Sequence, residues 1–253
     1  MSTSAKSAQK KFLLEGDESV SAATLKLRLL KKLKCTLKFE KQAWMAGAKS
    51  VAGVDEVGRG CLFGPVVAAA VILDPAYRIR GLRDSKLLDR ETREKLAPRI
   101  RDNALAWAVA AVDVVVIDQI NIYWASKRAM QEAVGKLTIC PDHLLVDAMC
   151  LDYDCAQTAI IHGDALSASI AAASIIAKVE RDTMMCQFDA VYPGYGLASN
   201  KGYGAPQHLK ALREKGPTPL HRKSFAPVWM ATAPQEVLDF MAEESPTEDG
   251  PAS

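Results

Sequence analysis

The sequence predicts an α/β protein built on a mixed β-sheet. Two runs rich in β-branched and other apolar residues, 51–57 and 66–73, follow each other closely, as antiparallel neighbours do. A third run, 105–113, comes after a helical pattern at 89–101. Helical patterns then alternate with further short strand-like runs, and this alternation is typical of a sheet covered by helices.

The residues ahead of the first strand predict little regular structure. Residues 1–20 are rich in Ser, Ala and Lys and lack an apolar period, so we expect disorder there. Leucines recur at helical spacing from 25 to 33, and "KFEKQAWMAG" predicts a short helix that ends at Gly47. We assign 1–48 as a basic N-terminal extension that is partly disordered.

The middle of the chain predicts two helices and two more strands. "DVVVIDQI" indicates a short helix and "YWASKRAMQEAVGKL" a long one. "HLLVD", at 143–147, indicates a buried strand that ends in an acid. A short strand near 159–161 precedes the longest helical pattern of the chain, which begins at Gly163.

The last part of the chain predicts one more helix and a polar end. The helix is expected from Pro206 to about Lys215, and the residues beyond Ala233 are polar and contain proline. No internal repeat is present in the sequence. We therefore assign one main domain to 49–232, with a helical C-terminal part, and an acidic flexible tail to 233–253.

The composition is that of a globular protein able to bury a core. Of the 253 residues, 49% are hydrophobic and 25% are charged, and no uncharged apolar run reaches the length of about 18 residues that would predict a membrane span. The N-terminus lacks the apolar region of a secretory signal. The six cysteines form no CxxC pair and no zinc-finger spacing with histidine, so we expect free thiols and a cytoplasmic protein.

The net charge of +2 hides a difference between the two ends of the chain. Residues 1–50 hold eleven Lys or Arg against four Asp or Glu, whereas 234–253 hold six acids and no base. A basic arm is compatible with a polyanionic partner, although a solvated charged end explains it as well.

Four carboxylates stand where apolar segments end. Asp55 and Glu56 follow "VAGV", Asp147 follows "HLLV", and Asp164 follows "AIIHG". An unpaired carboxylate beside a sheet core is costly, so each needs a cation or several hydrogen-bond donors. Asp164 taken alone also fits a cap of the helix that it begins. Together, carboxylates without Cys or His suit Mg²⁺ or Mn²⁺, and two such ions about 4 Å apart can promote phosphodiester hydrolysis.

Two further patterns lie next to these acids in the sequence. On the long helix, Ser167, Ser174, Lys178 and Arg181 share one stripe, which would place hydroxyl and basic groups beside the acids, although a solvated face explains it equally. The glycines of Gly58-Arg59-Gly60 allow the backbone to approach a ligand. Neither a dinucleotide-binding GxGxxG nor a phosphate-loop GKS/T occurs in the sequence.

These segments resemble bacterial ribonuclease HII, the type 2 ribonuclease H. They lie in the family's order between about 52 and 228, and as they stand here they are "AGVDEVGRG…GPVVAAAVIL", "DSK", "DHLLVDA", "GDALSASIAAASIIAKVERD" and "YPGYGLASNKGYGAPQHL…G…PLHRKSFAP". The resemblance implies a ribonuclease H-like fold, a mixed sheet with helices on both sides. It also implies that Asp55, Glu56, Asp147 and Asp164 are catalytic and bind two divalent ions, Mn²⁺ or Mg²⁺.

The resemblance implies a substrate as well. The family hydrolyses the phosphodiester on the 5′ side of a ribonucleotide, in an RNA–DNA hybrid or embedded in duplex DNA, and leaves a 3′-hydroxyl and a 5′-phosphate. By motif position, Gly58, Arg59 and Gly60 would contact the ribose 2′-hydroxyl, the group that separates RNA from DNA. Tyr203 would pack on the neighbouring deoxyribose. We predict that the phosphate contacts are Lys86, Lys178 and Arg181, and that the chain is a monomer.

Some positions depart from the family's usual pattern. They are Leu87 after "DSK", His162 before Gly163, and Cys61-Leu62-Phe63. None replaces a catalytic acid, so they bear on phosphate affinity more than on activity. His221 and Arg222 are expected to have a structural role, fixing the C-terminal segment.

Two alternative functions stay open at this point. A ribonuclease HIII-like hybrid nuclease shares the fold and the acids but typically carries GTG in place of Gly58-Arg59-Gly60, with a larger N-terminal domain. A non-catalytic RNA–DNA hybrid-binding module predicts a missing carboxylate.

Two further expectations concern a partner and a strand. "QEVLDF", Gln235 to Phe240, fits the Q-x-x-L-x-F shape of peptides that bind the bacterial sliding clamp, although an ordinary turn of helix explains it as well. Successive strand residues point to opposite faces of a sheet. If Asp55 and Glu56 serve one metal site, we therefore expect the strand to end or bend at Glu56.

Overall fold

The computed structural model of the chain describes residues 32–233. The predicted disorder at 1–20, most of the leucine pattern at 25–33 and the acidic tail lie outside the described residues. Strands run over Val51–Val57 (β1), Val66–Leu73 (β2), Ala104–Val112 (β3), His143–Asp147 (β4) and Ala156–Ile160 (β5). Helices run over Lys38–Met45 (α1), Arg90–Asn103 (α2), Val114–Gly135 (α3), Gly163–Leu166 (α4), Ala168–Val191 (α5), Leu197–Asn200 (α6), Pro206–Lys215 (α7) and Ala226–Met230 (α8), with a 3₁₀ turn at Ser85–Leu87.

The described strands form one mixed sheet, as predicted. Their order is β3-β2-β1-β4-β5, in which β1 is antiparallel to β2 and parallel to β4, and β4 is parallel to β5. Because β1, β4 and β5 run in the same direction, their C-terminal ends meet at one edge of the sheet. In open α/β sheets, ligands bind outside this edge.

Helices cover both faces of the sheet. On one face, α3 packs on β1, β2 and β3 through a core that includes Val54, Val112 and Ile117. On the other face, α2 and α5 pack on β2. At Gly53 a Cβ would overlap the backbone of Ser169, so this glycine allows β1 and α5 to approach closely.

Most of the predicted elements are confirmed to within two residues. The helix from Pro206 to Lys215 is confirmed, and α1 is followed by Gly47, whose φ of +101° is a conformation that glycine adopts readily. The two helices predicted at 113–137 are present as one element, broken at Asn121 (φ 64°, ψ 167°). The Asn121 side chain accepts hydrogen bonds from the amides of Tyr123 and Trp124 and so begins the longer half.

Two predicted elements need correction. The strand near 159–161 begins earlier, at Ala156, because it is an edge strand whose partly exposed residues show no apolar run. The long helix does not begin at Gly163, since the chain is extended at Ser167 (φ −104°, ψ 132°). The Ser167 hydroxyl accepts from the amide of Ile170 and caps α5, so Asp164 lies on the separate turn α4 and does not cap the long helix.

The compact unit that holds the sheet begins at Cys35. Residues 35–48, assigned to the extension from the sequence, therefore belong to this unit. Ala43 of α1 packs with Val51, Leu145 and Ile170 in one buried cluster. No helix among residues 32–233 combines the length and the apolarity needed to cross a membrane.

Candidate active site

Three of the four predicted acids meet at the edge where the parallel strands end. Asp55 lies near the end of β1, Asp147 is the last residue of β4, and Asp164 follows β5 on α4. Asp55 and Asp164 are each 4% exposed. Burial, followed by the charges of Glu56, Asp147 and Asp164, raises the pKa of Asp55 well above its ordinary value. The site therefore holds negative charge that the surrounding protein does not fully compensate.

Asp147 is positioned by the turn that carries Asp164. The amide of Gly163 donates to Asp147 Oδ1 at 2.7 Å and lowers the pKa of Asp147, whereas burial and the charge of Asp164 raise it, and the net direction is upward. This hydrogen bond from a backbone amide to a carboxylate thus joins the end of β4 to α4 and holds the two acids near each other.

Glu56 differs from the other acids because it leaves β1 on the opposite face. Its carboxylate pairs with Arg59 at 3.2 Å, and its Oε2 is buried without a hydrogen-bond partner among the described residues. Burial raises the pKa of Glu56, partly offset by Arg59, and the charge of Asp147 adds to the rise. If both acids serve one site, the strand is expected to end or bend at Glu56. It does not end there, because β1 pairs with β2 through Val57, although its pairing with β4 stops at Val54.

The donor set fits hard divalent ions, although the side chains do not form a closed cage. Among residues 32–233, no three Cys, His, Asp or Glu side chains are grouped so that they could hold a metal by themselves. Mg²⁺ and Mn²⁺ sites are commonly completed by water and substrate phosphates. The repulsion acting on Asp55 and the unpartnered Oε2 of Glu56 are both features that a bound cation would relieve.

Lys86 brings a cation directly to this acid site. Its Nζ lies 3.2 Å from Asp164 Oδ2, and its side chain is 75% exposed. Burial would lower the pKa of Lys86, but the charges of Asp164, Asp55 and Asp84 outweigh it and raise the pKa above its ordinary value. Lys86 is thus the one of the three predicted phosphate contacts that places an exposed ammonium group beside the acids.

The other two predicted phosphate contacts are engaged elsewhere. Arg181 is fully buried and donates to the carbonyls of Phe63, Pro65 and Lys201 at 2.8–3.1 Å, so in this structure its guanidinium is engaged inside the protein and does not face a substrate phosphate. Lys178 donates to Asp182 at 2.6 Å, and burial lowers its pKa. The predicted stripe on the long helix is therefore largely internal and is not a solvated face.

A fifth carboxylate was missed as a site residue. Asp84, in the "DSK" segment, is 4% exposed, and its Oδ1 accepts from the amide of Lys86 at 2.8 Å. Burial raises the pKa of Asp84, and the charge of Asp164 adds to the rise. The adjacent Ser85 hydroxyl shares a 2.8 Å hydrogen bond with Ser174, whose own hydrogen bond lowers the pKa of Asp55. The "DSK" segment matches the family and could have pointed to Asp84, but no pattern in the neighbouring sequence indicates that this segment lies beside the acids.

The loop after β1 brings Gly58-Arg59-Gly60 against Tyr203. Gly58 has φ +92°, and a Cβ there would overlap the guanidinium of Arg181. A Cβ at Gly60 would lie 3.9 Å from the ring of Tyr203, which is 43% exposed. Cys61-Leu62-Phe63, one of the departures from the family pattern, is buried and packs below this loop.

Two buried histidines hold the backbone of Tyr203. The amide of Thr218 donates to Nδ1 of His221 at 2.9 Å, so the ring proton of His221 must be on Nε2. That nitrogen is 3.1 Å from Nε2 of His208, which accepts and leaves Nδ1 of His208 to donate to the Tyr203 carbonyl at 2.8 Å. Burial, with a smaller contribution from His208, lowers the pKa of His221 to about 4, so the chain of hydrogen bonds is neutral near pH 7.

Arg222 holds the facing loop. Its Nη1 donates to the carbonyl of Arg59 at 2.8 Å, and its Nε donates to the carbonyl of Gly64 at 3.0 Å. The sequence predicted that His221 and Arg222 fix the C-terminal segment. In the structure, this segment also holds the backbone of Arg59 and, through His208, that of Tyr203, and we call the surface between these two residues the groove.

The fold and the acids together define a ribonuclease H-like protein. The mixed sheet carries carboxylates where its parallel strands end, and the neighbouring loops place glycines and a tyrosine near them. The ribonuclease HII sequence family matches residues 52–228. The chain belongs to the ribonuclease HII family and has the activity of that class of metal-dependent nuclease.

Known relatives agree with this assignment. The chain is 68% identical to the ribonuclease HII of Koribacter versatilis (strain Ellin345) over 94% of its own length and 93% of that protein's length. It is 56% identical to the ribonuclease HII of Solibacter usitatus (strain Ellin6076), over 78% and 86% of the two chains. The alternative of a ribonuclease HIII is therefore not supported.

Solved structures show the same fold. Ribonuclease H2 from Pyrococcus horikoshii OT3 matches with a TM-score of 0.63 and 28% identity, over 72% of this chain and 97% of that one. Ribonuclease HII from Archaeoglobus fulgidus, solved in complex with PCNA, matches with a TM-score of 0.59 and 27% identity, over 69% and 94%. Bst-RNase HIII in complex with Mn²⁺, 22% identical with a TM-score of 0.57 over 90% and 80%, shares the fold.

Proposed function

We propose that this chain cuts the phosphodiester on the 5′ side of a ribonucleotide, in RNA–DNA hybrids and in duplex DNA with embedded ribonucleotides, and leaves a 3′-hydroxyl and a 5′-phosphate. The supporting observation is that Glu56, one of the four acids, pairs with Arg59 in the same loop whose Gly60 faces the ring of Tyr203. The acids provide for phosphodiester chemistry, and the groove provides a place to test for a 2′-hydroxyl. We expect this function to be exercised in the cytoplasm by a monomer.

Asp55, Glu56, Asp147 and Asp164 would hold two divalent ions, Mn²⁺ or Mg²⁺. Such ions supply the positive charge that phosphodiester hydrolysis requires at the attacking and leaving oxygens. Lys86, exposed beside Asp164, would bind a non-bridging phosphate oxygen of the substrate. Lys178 remains a predicted phosphate contact that would first have to leave Asp182.

The groove would select the sugar. Gly58 and Gly60 leave the backbone free of side chains where a ribose 2′-hydroxyl would approach, and Arg59 stays paired with Glu56. The ring of Tyr203 would pack on the neighbouring sugar, and it favours deoxyribose because a 2′-hydroxyl there would lie against an apolar ring. The buried hydrogen bonds that His208 and Arg222 make to the carbonyls of Tyr203 and Arg59 would keep these two residues at a fixed separation when the sugars bind.

The direct test is cleavage of a duplex that contains one embedded ribonucleotide. The wild-type chain should cut it once, 5′ to the ribose, only when Mn²⁺ or Mg²⁺ is added, and should leave the matching all-DNA duplex intact. Asp55→Asn should abolish the cut. Cleavage that persists in Asp55→Asn, or a cut that does not depend on the ribose, would overturn the proposal, and an inactive wild type that binds the hybrid would favour the non-catalytic module.

A clamp-binding role for the C-terminal segment is a second, separate proposal. Gln235 to Phe240 lies outside the described residues, and the support is the spacing of Gln, Leu and Phe in the sequence. A further support is that a ribonuclease HII, the one from Archaeoglobus fulgidus, has been solved in complex with PCNA. The full-length chain should bind the bacterial sliding clamp in solution, and the double variant Leu238→Ala/Phe240→Ala should lose binding while it keeps nuclease activity. Binding that survives both substitutions would refute the motif.

A further inference from the structure

A cavity of about 540 Å³ lies beside the acid site and has no part in the function described so far. Its walls come from the segment 35–41, the start of α5 and residues 73–82, and we call residues 74–83 the arginine loop. Apolar side chains and three cations, Lys41, Arg78 and Arg80, line it. A cavity with this lining suits an anion that carries an apolar portion.

The sequence of the arginine loop explains why its cations point outward. In "RIRGLR", residues 78–83, cations alternate with apolar residues: Ile79 is buried and Leu82 is half-buried against the core, whereas the arginines are exposed. Gly81, with φ +93°, makes the turn that keeps this alternation in register. Arg99 of α2 donates to the carbonyl of Arg80 at 3.4 Å. The backbone that carries the exposed arginines is thus held to the protein by the packing of Ile79 and Leu82 and by the hydrogen bond from Arg99.

The three cations of the cavity outnumber the one carboxylate in its wall, Asp74. Within residues 32–233, no Asp or Glu comes within ion-pair distance of Lys41, Arg78 or Arg80. Asp74, the carboxylate in the cavity wall, accepts a hydrogen bond from the amide of Ala76 within its own loop. Two guanidinium groups and one ammonium group therefore have no ion-pair partner within residues 32–233 and can face an anionic ligand.

The cavity and the acids share a wall. Thr36 lines the cavity, donates to the carbonyl of Leu166 at 3.0 Å and accepts from the amide of Ala168 at 3.1 Å. These two residues flank the junction between α4, which carries Asp164, and α5. At the other end of the arginine loop, Lys86 reaches Asp164 itself. A strand that runs from the acids along this loop would therefore meet Lys86 first and the cavity afterwards.

We propose that Lys41, Arg78 and Arg80 bind a backbone phosphate of the substrate strand a few nucleotides from the cut, with the adjoining sugar against Tyr77. This inference rests on the proposed function, since it assigns part of the same substrate. Each strand of a duplex presents a phosphate about every 3.4 Å along the axis, so a strand held at the acids must offer phosphates to neighbouring cations. Guanidinium groups match phosphate with paired hydrogen bonds.

The test is the salt dependence of binding to the ribonucleotide-containing duplex, measured by fluorescence anisotropy without divalent metal. For Arg78→Gln/Arg80→Gln, the slope of log Kd against log salt should fall by about 1 per lost phosphate contact, and affinity should fall roughly tenfold. The matched control is Arg128→Gln/Lys136→Gln, which removes the same charge from exposed residues on α3 and directly after it, on the other face of the sheet. Arg78→Lys/Arg80→Lys should recover most of the slope.

Duplex length gives a second, positional readout. Shortening the duplex on the side that reaches the cavity should abolish the difference between wild type and the Arg78→Gln/Arg80→Gln variant. The inference is overturned if this variant shows the slope of wild type, if the control loses as much, or if the defect is the same at every length, as an unspecific charge effect would be. Cleavage by wild type is scored separately. If wild type cuts and the Arg78→Gln/Arg80→Gln variant keeps the wild-type slope, only the cavity inference is refuted. If wild type does not cut and the variant has a reduced slope, only the proposed nuclease activity is refuted.

Discussion

The strongest structural prediction concerns Gly58, where an added methyl group should cost several kcal/mol. Gly58→Ala would force a side chain into a left-handed backbone conformation at φ +92°, which costs about 1–2 kcal/mol. The new Cβ would also overlap the Arg181 guanidinium, which is fully buried and bonded to three carbonyls. Displacing even one of those charge-assisted bonds costs about 1.5–3 kcal/mol. The expected loss of unfolding free energy is therefore about 2.5–5 kcal/mol.

Gly60→Ala is the matched control for this change. A Cβ at Gly60 would stand at an ordinary 3.9 Å from the ring of Tyr203, and the residue is not among those with positive φ. Denaturant unfolding should therefore show Gly60→Ala within about 1 kcal/mol of wild type. Its effect should fall on cleavage, since the methyl group would enter the groove where the 2′-hydroxyl is expected. If Gly58→Ala is as stable as Gly60→Ala, the reasoning about the buried arginine is refuted.

Three other perturbations have defined outcomes. Asp55→Asn removes a buried charge that its neighbours repel, so without metal the variant should unfold at a higher temperature than wild type. Mn²⁺ should stabilise wild type but not the variant. Equal stabilisation of both proteins by Mn²⁺ would contradict the metal assignment. Lys86→Met should lower kcat/KM roughly tenfold with less than about 1 kcal/mol change in stability, because its pair with Asp164 is largely exposed on the lysine side; unchanged kinetics would remove Lys86 from the site. The pKa of His221 is lowered to about 4 in the folded protein, so as the pH drops the unfolded chain binds a proton on this histidine before the folded chain does. The free energy of unfolding should therefore fall between about pH 6.5 and pH 4, by up to about 3 kcal/mol. In His221→Gln that slope should be smaller, and an identical slope in pH-dependent denaturation would show that other groups cause it.

Sequence patterns anticipated the strands well because the apolar runs are local. "VAGVDEV" and "VVAAAVIL" have enough buried residues in a row to specify strands without reference to the rest of the chain. The edge strand β5 has no such run, and its start was placed three residues late. The break in the helix at Ser167 was also not predicted, because one extended residue between two helical turns leaves the apolar period intact.

The acids could be named from the sequence, but their surroundings could not. Asp55, Asp147 and Asp164 follow apolar runs, and parallel strands bring such ends together, so position along the chain was informative. The roles of the basic residues could not be predicted from their position along the chain. Arg181 and Lys86 look alike as charged residues in matching motifs, yet one is fully buried among carbonyls and the other is exposed beside Asp164.

By itself the sequence determined the fold class, the family and the acids, since each depends on residue type and on spacing over a few residues. The tertiary structure decided which side chains share that site. It turned Arg181 inward, brought Asp84 to Asp164 and linked His221 through His208 to Tyr203. These outcomes depend on contacts between segments that are far apart in the chain, and burial there changes what a charge or a proton costs.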